Sequence, residues 1–342
     1  MRILLAPMEG VIDAQMRAVL TDIGGYDRCV TEFIRVTEQI IPDHVFHRYS
    51  PELKRGGSTP CGVPVYIQLL GGSAKYMGLN AARAAKLEPQ GFDINFGCPS
   101  KTVNNSDGGS VLLREPQRVG DIVKAVRDAV DPSIPVTAKI RLGFANSDLL
   151  EDLVDKVVAG GASELAIHAR TKEDCYKPPA YWHKVKSISD RANIPVIING
   201  EIWSTEQATN ALRASGCNDL MLGRGALACP DLAASIQAQN NGKQYTSMTW
   251  PQALMVLVNY LRSTENKHPM FVSNRGKQWL VFLQMHYPEA KLAFHKIKRL
   301  KEAAEVFAVL TASLKAPLAS ATSRSLTDLS ATPDNWNKRD AA

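Results

Sequence analysis

The sequence predicts an α/β fold: a (β/α)8 TIM barrel followed by a small C-terminal helical-bundle domain. Three observations predict it. Short β-rich apolar runs recur at fairly even spacing over residues 1–244. Amphipathic helical patterns fill the gaps between them, and polar residues collect at the C-terminal end of run after run. Strand–helix alternation of this kind makes a parallel sheet, and eight repeats close it into a barrel. The structural rival, an open doubly wound sheet, would normally carry G-x-G-x-x-G after its first strand. That pattern is absent there.

The eight runs are Arg2–Ala6, Arg28–Phe33, Val63–Leu69, Phe92–Asn95, Pro135–Arg141, Glu164–Ala169, Pro195–Asn199 and Asp219–Gly223. Most are continuous, as expected of parallel strands covered by helices. Between them, Asp13 caps a helix that stops at Gly24-Gly25. A second helix runs from Ser73 to about Leu87, a third from Pro116 to Val130, and a fourth from Ser147 to Ala159. Ser204-Thr205-Glu206-Gln207 reads as a capping box for a helix closing at Gly216. The Gly/Asn-rich stretch from Val103 to Ser110 reads as a mobile loop able to close over a substrate.

After Gln244 the β character fades. Thr249-Trp250-Pro251 starts a helix, and Lys277–Tyr287, Glu289–Leu300 and Lys301–Leu314 read as three more. This divides the chain into a barrel domain over 1–244, a helical domain over 245–315 and a Ser/Ala/Thr/Pro-rich tail over 316–342 expected to be disordered. Residues 241–315 hold eleven Lys/Arg against four Glu, net +7, so with +6 overall the remainder sums to −1. A basic helical part on a near-neutral body suggests a polyanionic partner, although a charge run is usually a solvated face.

Apolar residues make up 45% of the 342, ample for a large core, and no run is long enough to span a membrane. The N-terminal run meets Pro7 and Glu9 too early for a signal-peptide core, so a cytoplasmic protein is expected. The six cysteines are scattered, with no C-x-x-C pair and no histidine at zinc spacing. Free thiols and no metal are expected.

Chemistry in a barrel belongs at the C-terminal ends of the strands. Those ends offer Pro7-Met8-Glu9, then Glu32 and Arg35, Gln68, Asn95 and Cys98, Lys139 and Arg141, His168 and Arg170, Asn199-Gly200-Glu201, and Gly223-Arg224-Gly225. A lone polar strand end is more often structural. A ring of them is hard to explain as packing, because each would need a partner at the edge of the core. Cys98 sits where the fourth strand spills into a Gly/Pro turn, and taken alone it is as easily a buried filler as an acid or nucleophile. Asn199-Gly200 and Gly223-Arg224-Gly225 follow the last two strands, where backbone N–H groups commonly hold a phosphate and Arg224 would add charge-assisted bonds. Such turns need glycine in any case. Their agreement with each other, and with Lys139, favours the cofactor reading.

Ala6-Pro7-Met8-Glu9-Gly10-Val11, Asp93-Ile94-Asn95-Phe96-Gly97-Cys98-Pro99-Ser100-Lys101, Lys139-Ile140-Arg141-Leu142-Gly143, Ile167-His168-Ala169-Arg170-Thr171, Asn199-Gly200-Glu201-Ile202 and Gly223-Arg224-Gly225-Ala226-Leu227 resemble, in order, the motifs of the tRNA-dihydrouridine synthase family. The resemblance covers roughly residues 1–312. Thr31-Glu32-Phe33-Ile34-Arg35-Val36 and Arg275-Gly276-Lys277-Gln278-Trp279-Leu280 are similar to the bacterial C subgroup, whose target is the D-loop uridine at position sixteen. One departure is Ala169, where Gly is frequent.

The resemblance implies FMN, held non-covalently by Pro7, Met8, Glu9, Gln68, Lys139, His168, Asn199, Gly200, Glu201, Gly223 and Arg224, with NADPH as reductant. It implies hydride delivery to C6 of the uracil and protonation of C5 by Cys98, whose ordinary thiol pKa of about 8.5 leaves it mostly protonated at neutral pH. Lys139 would face the negative charge of the reduced ring. Substrate contacts are implied for Asn95, Arg35, Arg141, Arg170 and Tyr176, and for Arg275, Lys277, Lys298 and Arg299 on the basic helices. The uridine must be swung out of the folded tRNA, and phosphate contacts by those helices would offset the cost. A monomer without an obligate protein partner is expected. Two other readings stay open at this point: an FMN barrel acting on a small molecule, of the dihydroorotate dehydrogenase sort, and a non-catalytic RNA-binding barrel.

Overall fold

The computed structural model describes residues 1–315; the tail expected to be disordered, 316–342, lies outside the described residues. The strands are β1 (Ile3–Leu5), β2 (Arg28–Val30), β3 (Ile34–Arg35), β4 (Val65–Leu70), β5 (Phe92–Asn95), β6 (Val136–Arg141), β7 (Glu164–His168), β8 (Val196–Asn199) and β9 (Asp219–Leu222). All pairings among them are parallel, β1 joins β9, and β2 joins β4, so the sheet closes on itself. β2 and β3 both lie along β4 and together make one stave, which gives an eight-stave (β/α)8 barrel among the described residues.

The run Arg28–Phe33, which composition predicts as one strand, breaks after Val30. It does so because Thr31 turns its hydroxyl onto the ladder: Thr31 Oγ1 accepts from Gln68 N at 3.0 Å. The chain resumes pairing further up the stave, with Ile34 opposite Leu69.

Alternation along the strands sorts the residues into two apolar regions. Ile3, Leu5, Ile67, Leu69, Phe92, Ile94, Val136, Ile140, Leu165, Ile167 and Ile198 face the surrounding helices. Leu4, Ala6, Val30, Ala166, Ile197 and Met221 form a separate cluster inside the barrel. Beneath that cluster, at the strand starts, Arg2 reaches Glu164 at 2.6 Å and Asp219 at 2.7 Å, and Arg28 meets Glu164 from the other side. The interior is therefore stacked as an ion-paired floor, an apolar layer and, above it, the polar strand ends.

The helices follow their local signals. Asp13 caps Ala14–Ile23 by accepting from Met16 N, and the helix stops at Gly24. Ser204 caps Thr205–Ser215 through Gln207 N, while the Gln207 side chain accepts from Trp203 N rather than from the cap residue, so only half of the expected box forms. The fourth helix starts at Leu150 rather than Ser147, after a turn in which Leu150 N donates to Ser147 O.

Among the described residues, four helices follow the barrel: Trp250–Arg262, Pro269–Leu283, Pro288–Ile297 and Ala303–Lys315. The first carries a full capping box between Thr249 and Gln252. The second starts at Pro269, earlier than the Lys277 expected, because His268 accepts from Met270 N and Pro269 is suited to the first turn. The four pack on one another, the first also on Ala14–Ile23 and the second on the short helix Arg224–Ala228. Trp279 meets Tyr260 edge-on at 5.2 Å and donates to Leu227 O at 3.0 Å. Among the described residues, no helix is long and apolar enough to cross a membrane.

Candidate active site at the barrel mouth

Cys98 is half-exposed on the turn that leaves β5, and both ends of its peptide unit are held. Asn95 Oδ1 accepts from Gly97 N at 2.9 Å and from Cys98 N at 3.0 Å. Cys98 O accepts from Asn104 Nδ2 at 2.9 Å and from Ser110 Oγ at 2.8 Å. The stretch from Val103 to Ser110, expected to be a mobile loop, is thus tied to the cysteine. Lys101–Asn104 forms a helical turn and Gly109–Arg114 a 3-10 turn. Arg118 fastens Asp107 between them and also donates to Gly72 O at 2.8 Å. Asn104 and Ser110 escape a sequence reading because loop composition does not reveal which side chains fold back on the backbone.

Lys139, one stave on, donates from Nζ to Asn199 Oδ1 at 3.0 Å, and Asn199 Nδ2 donates to Met221 O at 2.8 Å. Burial, reinforced by the Arg141 guanidinium, lowers the Lys139 pKa to about 8. Arg141 is buried and committed. It donates to Gly97 O at 2.7 Å, Thr171 O at 3.0 Å and Cys175 O at 2.7 Å, lashing the cysteine turn to the loop after β7. His168, also buried, is held well below its ordinary pKa by burial and then by Arg141, Lys139, Arg170 and Arg224. Both effects favour the neutral imidazole. Arg170 pairs with Glu201 and donates to Lys177 O at 2.7 Å.

Gly200 lies against His168. With φ at +113°, it occupies backbone space that favours glycine, and a Cβ there would fall 2.6 Å from His168 Cδ2. Arg224 lies between two rings, 5.1 Å from Tyr176 and 5.2 Å from Trp203, with Glu201 at 3.8 Å. Trp203, which a reading of strand ends misses because it sits two residues past the turn, also donates to Glu201 at 3.1 Å. Gly225 follows so closely under Ile202 O that a Cβ would sit 2.0 Å from it.

The structure therefore gathers Gln68, Asn95, Cys98, Lys139, Arg141, His168, Arg170, Tyr176, Asn199, Gly200, Glu201, Gly223 and Arg224 around one mouth. Pro7 and Met8 are half-buried at the end of β1 and Glu9 is exposed beyond them; Arg35 is exposed at the end of β3. The basic candidates divide. Arg275 is turned inward, onto Asp13 at 2.5 Å and onto Gly10 O, where Gln278 also donates at 2.9 Å. Lys277 caps the carbonyl of Leu300. Lys298 and Arg299 are exposed, Lys298 lying 3.0 Å from His295 Nδ1.

A mouth so rich in nitrogen cations, with the turns Asn199–Glu201 and Gly223–Gly225 at its rim, fits a group carrying a phosphate and a flat polar ring. Asn199–Glu201 and Gly223–Gly225 would hold the phosphate, and Gln68 and Lys139 the ring edge. Fold and mouth together define a (β/α)8-barrel protein with a cation-lined site at the C-terminal ends of its strands.

The chain belongs to the dihydrouridine synthase family: the model of dihydrouridine synthase (Dus) matches residues 4–317, and the family match makes it an oxidoreductase. A tRNA-dihydrouridine(16) synthase of Vibrio parahaemolyticus is 44% identical over 308 residues, covering 90% of this chain and 94% of its own. One of Shewanella oneidensis is 45% identical over 311 residues, covering 91% and 97%. Among solved structures, histamine dehydrogenase from Rhizobium sp. 4-9 superposes with a TM-score of 0.54 at 15% identity. The match takes in 76% of this chain and 48% of that one, and likeness at this identity speaks for the barrel alone.

Proposed function

We propose that this protein reduces the C5–C6 double bond of a D-loop uridine in tRNA, at position sixteen, using FMN and NADPH. The observation that carries the reading is the juxtaposition of Cys98, on a turn held at both ends, with the cationic cluster of Lys139, Arg141, Arg170 and Arg224 around neutral His168. Relatives named for that position, matched along nearly their whole length, support the target. When bound, FMN would supply the hydride that adds to C6.

The chain's own residues do the rest. Cys98 holds a proton above the opposite face of the base, for C5. Asn95, already donating to Gln68 and accepting two backbone N–H groups, has its second amide hydrogen left for a uracil carbonyl. Lys139 places positive charge where electron density accumulates. Arg141 keeps the two flanking loops in register, and Tyr176, 43% exposed at the rim, offers a face for an extruded base.

In this reading residues 1–244 form the catalytic unit and 245–315 the tRNA-holding unit, with Lys298 and Arg299 as its phosphate contacts. The enzyme works as a monomer in the cytoplasm, where its tRNA is. Arg275 and Lys277 contribute by bracing the fold rather than by gripping RNA. The second reading, a small-molecule flavin enzyme, leaves the basic helices without a role.

The test is to record the visible spectrum of the purified protein, incubate it with NADPH and unmodified tRNA, and map dihydrouridine by mass spectrometry. Flavin absorbance and product at one D-loop position, lost in Cys98→Ala, are expected. A yellow protein that leaves every uridine intact would overturn the reading in favour of a small-molecule substrate.

A further inference from the structure

A chain of side-chain hydrogen bonds runs up the inside of the barrel to the cysteine. Thr137 Oγ1 donates to Asp93 Oδ1 at 2.6 Å. Gln68 Nε2 donates to Asp93 Oδ2 at 2.7 Å, and Asn95 Nδ2 donates to Gln68 Oε1 at 2.9 Å. Asn95 Oδ1 then receives the N–H groups of Gly97 and Cys98. All four side chains are buried, with Gln68 at 0% exposure and Asp93 at 2%.

The direction of the two amide bonds is forced from the top of the chain. Backbone N–H groups can only donate, so the Asn95 oxygen must face them and its amide nitrogen must face Gln68. Gln68 must then present oxygen upward and nitrogen downward. The Asp93 carboxyl, whose pKa burial raises and whose bonds from Gln68 and Thr137 oppose that rise, supplies the acceptor oxygen that completes this order. Two amides that could each sit either way round are thereby locked in one orientation.

We infer that Asp93 is a positioning residue for the reaction: as the acceptor at the foot of this chain, it fixes the orientation of Gln68 and Asn95 and through them the turn that presents Cys98. The inference deepens the proposed function and rests on it for the role of Cys98; the hydrogen-bond order itself does not.

The order predicts a swap. In Asn95→Asp, Gln68 lies between two carboxylates and must turn its oxygen toward one of them. In Asp93→Asn with Asn95→Asp, the carboxylate has moved to the top. The backbone N–H groups and Gln68 Nε2 then donate to it, the new amide at 93 donates to Gln68 Oε1, and the Thr137 hydroxyl donates to its oxygen. Every group is paired again, with the Gln68 amide reversed.

The experiment measures melting temperature and the rate of Cys98 alkylation by iodoacetamide, resolved at the peptide level, in wild type, Asn95→Asp and the double swap. Asn95→Asp should lower the melting temperature and change the alkylation rate, and the swap should recover both. A swap as impaired as the single variant, or one that also fails to fold, would overturn the inference. Neither readout needs tRNA, so failure here is separate from failure of the proposed reaction. A companion variant, Asp93→Ala, should lose kcat per bound flavin on the order of tenfold to a hundredfold with KM for tRNA unchanged. A loss that merely tracks flavin content would mark a structural role and count against positioning.

Discussion

Arg275 of the second C-terminal helix and Asp13 at the start of the first barrel helix stand 2.5 Å apart in a pair largely shut off from solvent. The other oxygen of Asp13 caps its own helix through Met16 N. The arginine's Nη1 reaches Gly10 O, on the loop that leaves β1, and Gln278 Oε1. One ion pair therefore fastens a helix start, a mouth loop and the helical bundle together.

Arg275→Ala is expected to act through that junction. It leaves Asp13 uncompensated and should cost roughly 3 kcal/mol, as breaking a buried pair does, seen as a lower urea midpoint. The salt dependence of tRNA binding should keep its slope.

Lys298→Ala and Arg299→Ala should behave in the opposite way. Both side chains are exposed, so stability should move little. Removing one phosphate-binding cation should reduce the slope of log K against log salt by about 0.7–0.9. A filter-binding titration at several salt concentrations separates these variants from Arg275→Ala.

Lys139 predicts a proton count. Its pKa of about 8 means that without a ligand it loses its charge as pH rises through that value. Carbonyl oxygens at the edge of a bound ring favour the charged form and raise the pKa again. Flavin binding at a pH just above that value should therefore take up protons, whereas at a pH well below it, where the lysine is already charged, it should not. Calorimetry in buffers of different ionisation enthalpy reads this directly, and Lys139→Met should abolish the uptake.

Gly200→Ala forces a side chain into a left-handed backbone and onto the ring of His168. Backbone strain alone is of order 1–3 kcal/mol. Flavin should be lost from the purified variant before the fold is, which absorbance and far-UV circular dichroism distinguish.

Arg141→Lys keeps a cation but not the fork. Of the carbonyls of Gly97, Thr171 and Cys175, a lysine can reach fewer, and each buried acceptor left unpaired costs about 1–3 kcal/mol. Hydrogen exchange should rise together in the Gly97–Ser100 turn and the Thr171–Tyr176 loop, while the rest of the barrel stays protected.

The barrel is legible because Leu4, Ile67, Ile94 and Ile167 belong to strands whose apolar runs leave little choice of structure, and because turns such as Gly24-Gly25 punctuate them. The ring of strand ends follows from that alone. What cannot be read is direction of commitment. Arg141 and Arg275 look in sequence like any cations placed to meet a substrate, yet Nε and Nη1 of the first donate to carbonyls, and Nη1 and Nη2 of the second to Gly10 O, Gln278 and Asp13. Asp93 could be found, since it lies two residues before Asn95 and so on the same inward face, but a lone acid in an apolar strand does not say what it accepts. Thr31 breaks a strand that composition alone would continue, because a hydroxyl can take the place of a ladder carbonyl.

The floor of the barrel bears on how the chain is made. Strand β1 is synthesised first, but one of its two neighbours, β9, comes last among the strands, and Arg2, which also pairs with Glu164, gains Asp219 only then. A nascent chain on the ribosome thus holds an unpaired strand edge through most of translation. Ring closure is a late event, because β1 can be joined on its second side only once β9 has been made. Slowing translation ahead of Asp219 should lengthen the period in which the growing polypeptide depends on chaperones.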